Sequence, residues 1–157
     1  KKDFFELVLE KGTEVGVFAF HPFIAVRSVK KDFSIERGKK IIREAAEQSG
    51  RAILPELFEQ KSFEHSLDFF EKNNGDVGIL FDPAHVKKTL FDLQTELHSD
   101  TIRFIHLFIG SEGGFTEGEL SRARECGIQT VSVLPTTLRS ETAGIVFPAI
   151  LAACIGA

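Results

Sequence analysis

The run Leu107-Phe108-Ile109-Gly110-Ser111-Glu112-Gly113-Gly114-Phe115 limits what this chain can fold into more than any other stretch. Apolar residues of strand character stop abruptly at three glycines set around one carboxylate, and Thr116 then opens a polar helical pattern. A strand, a tight turn and a helix start are predicted. Glycines at such a turn permit positive φ and close approach of a ligand to the backbone, while the free amides of a helix N-terminus favour electron-rich groups. Turns of this kind also arise for geometric reasons alone. A second stretch of similar design narrows the choice: residues 129–134 read as a short apolar strand that leads into Pro135-Thr136-Thr137-Leu138-Arg139-Ser140-Glu141-Thr142. Loops at the carboxyl ends of neighbouring parallel strands are where open α/β sheets bind ligands.

Strand and helix patterns alternate along the whole chain, which predicts an α/β fold with a mostly parallel sheet and helices on both faces. Helices are expected over residues 3–14, 35–49, 62–72, 86–97 and 116–126, with a last one starting between Leu138 and Glu141. Ser34 caps the second and Gly50 stops it, and Thr116 with Glu119 three places on forms a capping box. Strands are expected over 17–24, with Pro22 near the end, over 52–57, which contains Pro55, and over 77–81, 102–109 and 128–134. The strand over 102–109 is expected at the centre of the sheet.

At 157 residues, 43% hydrophobic and 27% charged, the chain is a single globular domain, and its sixteen phenylalanines signal core packing. It contains no Met, even at position 1, so an N-terminal domain is expected to precede it. Cys126 and Cys154 lack close spacing and read as reduced, buried thiols; the five histidines are scattered singly, so no metal is expected. No signal peptide is visible. The uncharged run 143–157 contains Pro148 and is shorter than the ~20 residues of a membrane span, which predicts a cytoplasmic protein with no membrane contact. That run reads as a buried helix or a subunit interface. Residues 27–51 hold eight Lys/Arg against four Asp/Glu on a chain of net charge −4. Such a segment either steers a polyanion to one face or is a solvated helix surface.

If the strand ends after Phe81, Ile109 and Leu134 lie side by side, their loops line a cleft of backbone amides and carbonyls with Leu134, Leu138 and few charges. A flat, mostly neutral heterocycle suits that lining better than a triphosphate does. Gly113-Gly114 is not followed by Lys-Ser/Thr, and no Gly-x-Gly-x-x-Gly with a suitably spaced acid is present, so P-loop and dinucleotide readings weaken. Arg139 either stabilises negative charge on a substrate oxygen or phosphate, or caps the last helix and pairs with Glu141. Glu112 faces a cationic ligand or binds nearby amides. By pattern alone Glu44, Gln48 and Arg51 are surface residues.

Four ordered blocks carry a resemblance. Residues 109–115, Ile-Gly-Ser-Glu-Gly-Gly-Phe, resemble the Ile-Gly-Pro-Glu-Gly-Gly-Phe block of the RsmE-type 16S ribosomal RNA (uracil-N3)-methyltransferases of the SPOUT superfamily, and 138–143 resemble that family's Leu-Arg-Thr-Glu-Thr-Ala. Residues 11–17, Lys-Gly-Thr-Glu-Val-Gly-Val, are similar to its Lys-Ala-Thr-Glu-Leu-Gly-Val, and 44–51, Glu-Ala-Ala-Glu-Gln-Ser-Gly-Arg, to its Glu-Ala-x-Glu-Gln-Ser-Gly-Arg. Ser111 stands in place of the family's proline, and Leu134-Pro135-Thr136-Thr137 in place of Leu-Gly and two residues.

The resemblance implies a SPOUT α/β-knot, whose C-terminal part is threaded into a trefoil knot, and a homodimer built on the C-terminal helix. It implies an N-terminal PUA-like RNA-binding domain. It implies S-adenosyl-L-methionine held by Leu80, Phe81, Asp82, Gly110, Ser111, Glu112, Gly113, Gly114, Val133, Leu134, Leu138 and Arg139. Methyl transfer to N3 of a uridine in 16S ribosomal RNA of the small ribosomal subunit would use Arg139 with Glu141 or Glu112. Lys11, Glu14, Arg27, Gln48, Arg51 and Thr142 would contact the RNA. Methylation of another RNA position, or RNA or cofactor binding without catalysis, stays open.

Overall fold

Helices begin and end where local capping chemistry puts them. Ser34, in extended conformation, accepts from the Arg37 amide, and Gly50 (φ 73°) closes the other end by donating to the Ala46 carbonyl, so that Ile35–Ser49 forms a helix, α2, as the sequence predicts. The Glu36 carboxyl in its first turn is held below the usual carboxylate range by a backbone amide and then by the Ser34 hydroxyl. The preceding helix, α1 (Phe4–Glu14), buries Leu9 completely and packs on α2. Gly38 lets Leu57 and Leu9 approach; a Cβ there would lie 2.5 Å from the Leu57 side chain.

The computed structural model describes residues 4–29, 33–71, 75–82, 89–93, 97, 101–132 and 137–155. The chain divides into two compact units, Lys1–Pro22 with Lys30–Lys61 and Glu141–Ala157, and Phe23–Val29 with Ser62–Ser140. In the first, β1 (Ala19–Phe20) pairs in parallel with a strand at Glu56–Leu57, and Leu9, Phe20, Ile42 and Leu57 form the core. The expected strand over 17–24 is broken. Pro22 has no amide to donate, and Phe23–Ile24 forms a separate short strand, β2. The expected strand over 52–57 is likewise reduced to Glu56–Leu57, called β3, with Pro55 immediately before it. The last helix, Ser140–Ile155, starts where expected, and its Gly144 packs on Val8 of α1.

The second unit holds Ser62 at the end of β4 (Lys61–Ser62), α3 (Phe63–Glu71) and three parallel strands. These are β5 (Val77–Phe81), β6 (Ile105–Ile109) and β7 (Gln129–Val131), in the order β6-β5-β7. The central strand is therefore β5, not the one expected over 102–109, which starts later and stands beside it. Burial explains the placement. Gly78, Ile79, Leu80 and Phe81 are all buried, whereas in β6 only Phe108 is. A strand apolar on both faces belongs between two others, and each fully buried Leu or Ile contributes about 1.5–3 kcal/mol. His106 on β6 hydrogen-bonds Asp76 at 2.8 Å, just before β5 begins.

Helix α4 (Glu117–Glu125) follows β6, and with α3 it covers a core of Phe63, Leu67, Phe70, Leu80, Phe108, Phe115, Leu120 and Ile128. The final helix is α5. Among the described residues, β1 and β3 form a two-stranded ladder and β6-β5-β7 a three-stranded one. Of the helix expected over 86–97, Leu90–Leu93 is a 3₁₀ turn and Leu97 is α-helical. Cys126 and Cys154 are half-buried, less enclosed than expected.

Gly78 carries a local test of this packing. A Cβ there would lie 2.7 Å from Ile128 and 2.9 Å from the Phe70 ring. Gly78→Ala is expected to lower unfolding stability by about 1–3 kcal/mol, measured by urea denaturation.

Candidate functional site at three strand ends

Register decides where the site can be. Phe81 pairs with Ile109 on one side and with Val131 on the other, so β5, β6 and β7 end at the same level. The three strand ends therefore stand at one edge of the sheet, as the sequence reading required. The third strand, however, ends at Val131 rather than Leu134, and Ser132 bridges to Thr89. Val133 and Leu134, expected to hold the cofactor, lie outside the described residues. Leu80 and Phe81 are buried at the end of β5, and the buried Asp82 donates its amide to the Val131 carbonyl at 3.1 Å.

The glycine turn is built by the protein for its own packing. The Gly114 amide donates to the Ser111 carbonyl at 2.8 Å, and Gly114 takes φ 63°, a conformation that favours glycine. A Cβ on Gly110 would lie 2.9 Å from the Phe115 ring, and one on Gly113 would lie 2.9 Å from Arg27 Cβ and 3.0 Å from the Arg27 carbonyl oxygen. The space the sequence reading reserved for a ligand at these two positions admits neighbouring protein atoms.

Thr116 and Glu119 form the predicted capping box at the start of α4. Glu119 does more: its Oε1 accepts from the Val26 amide at 2.8 Å while Oε2 takes the Thr116 amide. Arg27 Nη1 donates to the carbonyls of Gly113 (3.3 Å) and Phe115 (3.2 Å). Phe23 packs on the rings of Phe63 and Phe115, and Ala25 is buried among them. The segment 23–29 is thus a strap over the glycine turn. Sequence reading gave Arg27 an RNA contact, but its guanidinium holds this turn. The only local trace of the strap was the second oxygen of the capping carboxylate, free to take another donor.

Several site residues remain available. The Ser111 hydroxyl oxygen is buried and, among the described residues, has no hydrogen-bond partner. Glu112 and Arg139 are exposed, and among the described residues neither has a hydrogen bond or ion pair. Leu138 is half-buried, Glu141 sits in the first turn of α5, and Thr142 is exposed there.

The other expected RNA contacts belong to the first unit. Lys11 pairs with Glu14 at 2.8 Å and Glu10 at 3.1 Å, which raise its pKa above the usual lysine value, Glu14 first. Gln48 is exposed on α2. Arg51 Nη1 donates to the Thr13 and Val17 carbonyls at 3.0 and 2.8 Å, a cation placed on the end of α1. A hollow of about 220 Å³ lined by Phe5, Leu9, Phe33 and Gly38 includes none of the expected site residues. Among the described residues, no three His, Cys, Asp or Glu are grouped to hold a metal, and no helix is long and apolar enough to cross a membrane.

Arg27→Ala removes two partly exposed hydrogen bonds, worth about 0.5–1.5 kcal/mol each. Hydrogen-exchange mass spectrometry of the variant is expected to show faster amide exchange over residues 110–116, with the protection of β5 retained.

Comparison with known proteins agrees with this geometry. Residues 1–152 match an RNA methyltransferase domain. Ribosomal RNA small subunit methyltransferase E of Bacillus subtilis is 35% identical over 151 residues, which cover 91% of this chain and 58% of that protein. Its namesake from Aquifex aeolicus is 32% identical, covering 93% of this chain and 61% of the relative. The crystal structure of the Neisseria gonorrhoeae enzyme of the same name, bound to S-adenosyl methionine, superimposes with a TM-score of 0.84 at 28% identity, covering 98% of this chain and 62% of that one. The chain thus spans less than two thirds of the length of these relatives. By sequence over nearly its whole length and by the level strand ends that carry its glycine turn, the chain belongs to the RNA methyltransferase domain family.

Proposed function

We propose that this protein transfers a methyl group from S-adenosyl-L-methionine to N3 of a uridine in 16S ribosomal RNA. The observation that carries the reading is the level ending of β5, β6 and β7 beside a glycine turn that keeps a buried hydroxyl without a protein partner. The names of the relatives support the choice of small-subunit ribosomal RNA, and the ligand of the Neisseria gonorrhoeae structure supports the choice of methyl donor. Such a substrate puts the reaction in the cytoplasm.

The residues fit the donor. Main-chain groups after Phe81 and at 110–114, apolar Leu80 and Phe81, and the unpartnered Ser111 hydroxyl suit a neutral heterocycle and ribose better than a polyphosphate. Leu80, Phe81, Asp82, Gly110, Ser111, Glu112, Gly113, Gly114, Leu138 and Arg139 would hold it, with Val133 and Leu134. When bound, the sulfonium supplies an electrophilic methyl group.

The chain's own residues then manage the uridine. Its N3 proton is weakly acidic and leaves as the new bond forms, so negative charge spreads to the ring oxygens. Arg139, exposed and unpartnered among the described residues, stabilises that charge. Glu112 or Glu141 accepts the proton. Gln48, Lys11, Glu14 and Thr142 contact RNA, as does Arg51 through the guanidinium nitrogens that the Thr13 and Val17 carbonyls leave over. Arg27 supports the turn and contacts RNA only at its edge. The C-terminal threading is a trefoil knot, and the protein is a homodimer through α5, whose run after Glu141 is uncharged.

Arg139→Ala is expected to reduce methylation of small-subunit ribosomal RNA by roughly 100-fold or more, with a smaller loss of cofactor affinity. Methylation at the wild-type rate would remove Arg139 from the mechanism. Mapping the modified nucleotide separates the N3 reading from modification of a ribose hydroxyl or another base.

A further inference from the structure

We infer that the outward face of α2, at Lys39, Lys40 and Arg43, grips the phosphate backbone of RNA, an inference that rests on the RNA reading above. The eight Lys/Arg of residues 27–51 leave two readings open in the sequence, a steering surface for a polyanion or a solvated helix. The structure divides them. Arg27 holds the glycine turn, Arg37 donates to Glu6 at 2.8 Å, and Arg51 donates to the Thr13 and Val17 carbonyls. Those three cations are spent on the fold. Lys30 and Lys31 lie outside the described residues, which leaves Lys39, Lys40 and Arg43, all exposed.

Helix geometry gathers these three. The inner side of α2 buries Gly38, Ile42, Ala45 and Ala46, and the three cations stand on the other side. Arg43 follows Lys39 by four residues and Lys40 by three, so it neighbours both, with Cβ atoms about 5–6 Å apart. Like charges at these spacings repel one another.

The acids nearby do little to relieve that repulsion. Lys40 reaches Glu44 only at 3.8 Å, in an ion pair open to water, which holds weakly. Glu36 is occupied by a backbone amide and by the Ser34 hydroxyl, which donates to it at 3.1 Å. Lys39 and Arg43 have neither a hydrogen bond nor an ion pair among the described residues. An anion lying across this turn of the helix removes the repulsion, and phosphates on successive nucleotides meet cations at this spacing. The face offers charge and no apolar pocket for a base, so it suits the part of RNA binding that is independent of sequence. Glu36 and Glu47, at its two ends, confine the grip to one or two phosphates.

The test uses the intact protein and filter binding of deproteinised 16S ribosomal RNA over a range of KCl concentrations. The double variant Lys39→Ala/Arg43→Ala should bind at least about tenfold more weakly at 0.1 M salt, and its plot of log affinity against log salt should be shallower by about 1.4–1.8. Its melting temperature and its calorimetric affinity for S-adenosylmethionine should match the wild type. Lys39→Arg/Arg43→Lys, which keeps the charge, should keep the wild-type slope. Arg103→Ala/Arg124→Ala removes the same charge from exposed positions in the other unit and should leave the slope unchanged. An unchanged slope in Lys39→Ala/Arg43→Ala overturns the inference, as does an equal loss in Arg103→Ala/Arg124→Ala, which would mark a response to net charge alone. A fall in affinity together with melting temperature overturns it as well. So does weakened binding of polyglutamate with RNA binding intact, which would assign the face to an acidic protein. If the wild type binds no RNA, the RNA reading falls and this grip with it; if the wild type binds RNA and only the slope fails to change, that reading stands.

Discussion

The pairing of Phe81 with Ile109 and with Val131 is the constraint on which the remainder of the site rests. Each parallel ladder fixes one strand end against the next through evenly spaced backbone hydrogen bonds, so side chains cannot adjust the level without breaking the ladder. A slip of one residue in β6 would turn its one buried residue, Phe108, to the opposite face. Once the level is set, the three strand ends stand together at one edge of the sheet.

The glycine turn shows how a binding loop is made rigid without being filled. Gly110 and Gly113 lack side chains because Phe115 and Arg27 occupy that space, and the strap over 23–29 is tied down at Glu119. The same close packing that fixes the loop leaves the Ser111 hydroxyl stranded.

Helix boundaries were legible because capping is local. Ser34, Gly50 and the Thr116–Glu119 pair each act within one turn of the residue they serve, and all three are found as read. Strand lengths were not, since a strand extends only as far as its partner. The run over 102–109 shortened to Ile105–Ile109 and lost the central place to β5, whose neighbours come from far along the chain. The turn at 110–114 was legible as a site, but the reason for its glycines was not. Arg27 stands 86 residues from Gly113, and no spacing rule in a single sequence connects them. Arg51 was hidden in the same way, because its carbonyl acceptors at Thr13 and Val17 lie on another element.

Parallel ladders also set a timetable for synthesis. β5 finds its second neighbour only when Gln129 has emerged, about fifty residues after Ile79, and at roughly 5–20 residues per second the nascent chain waits several seconds for it. Throughout that interval the most apolar strand of the unit has an open edge at the ribosome surface.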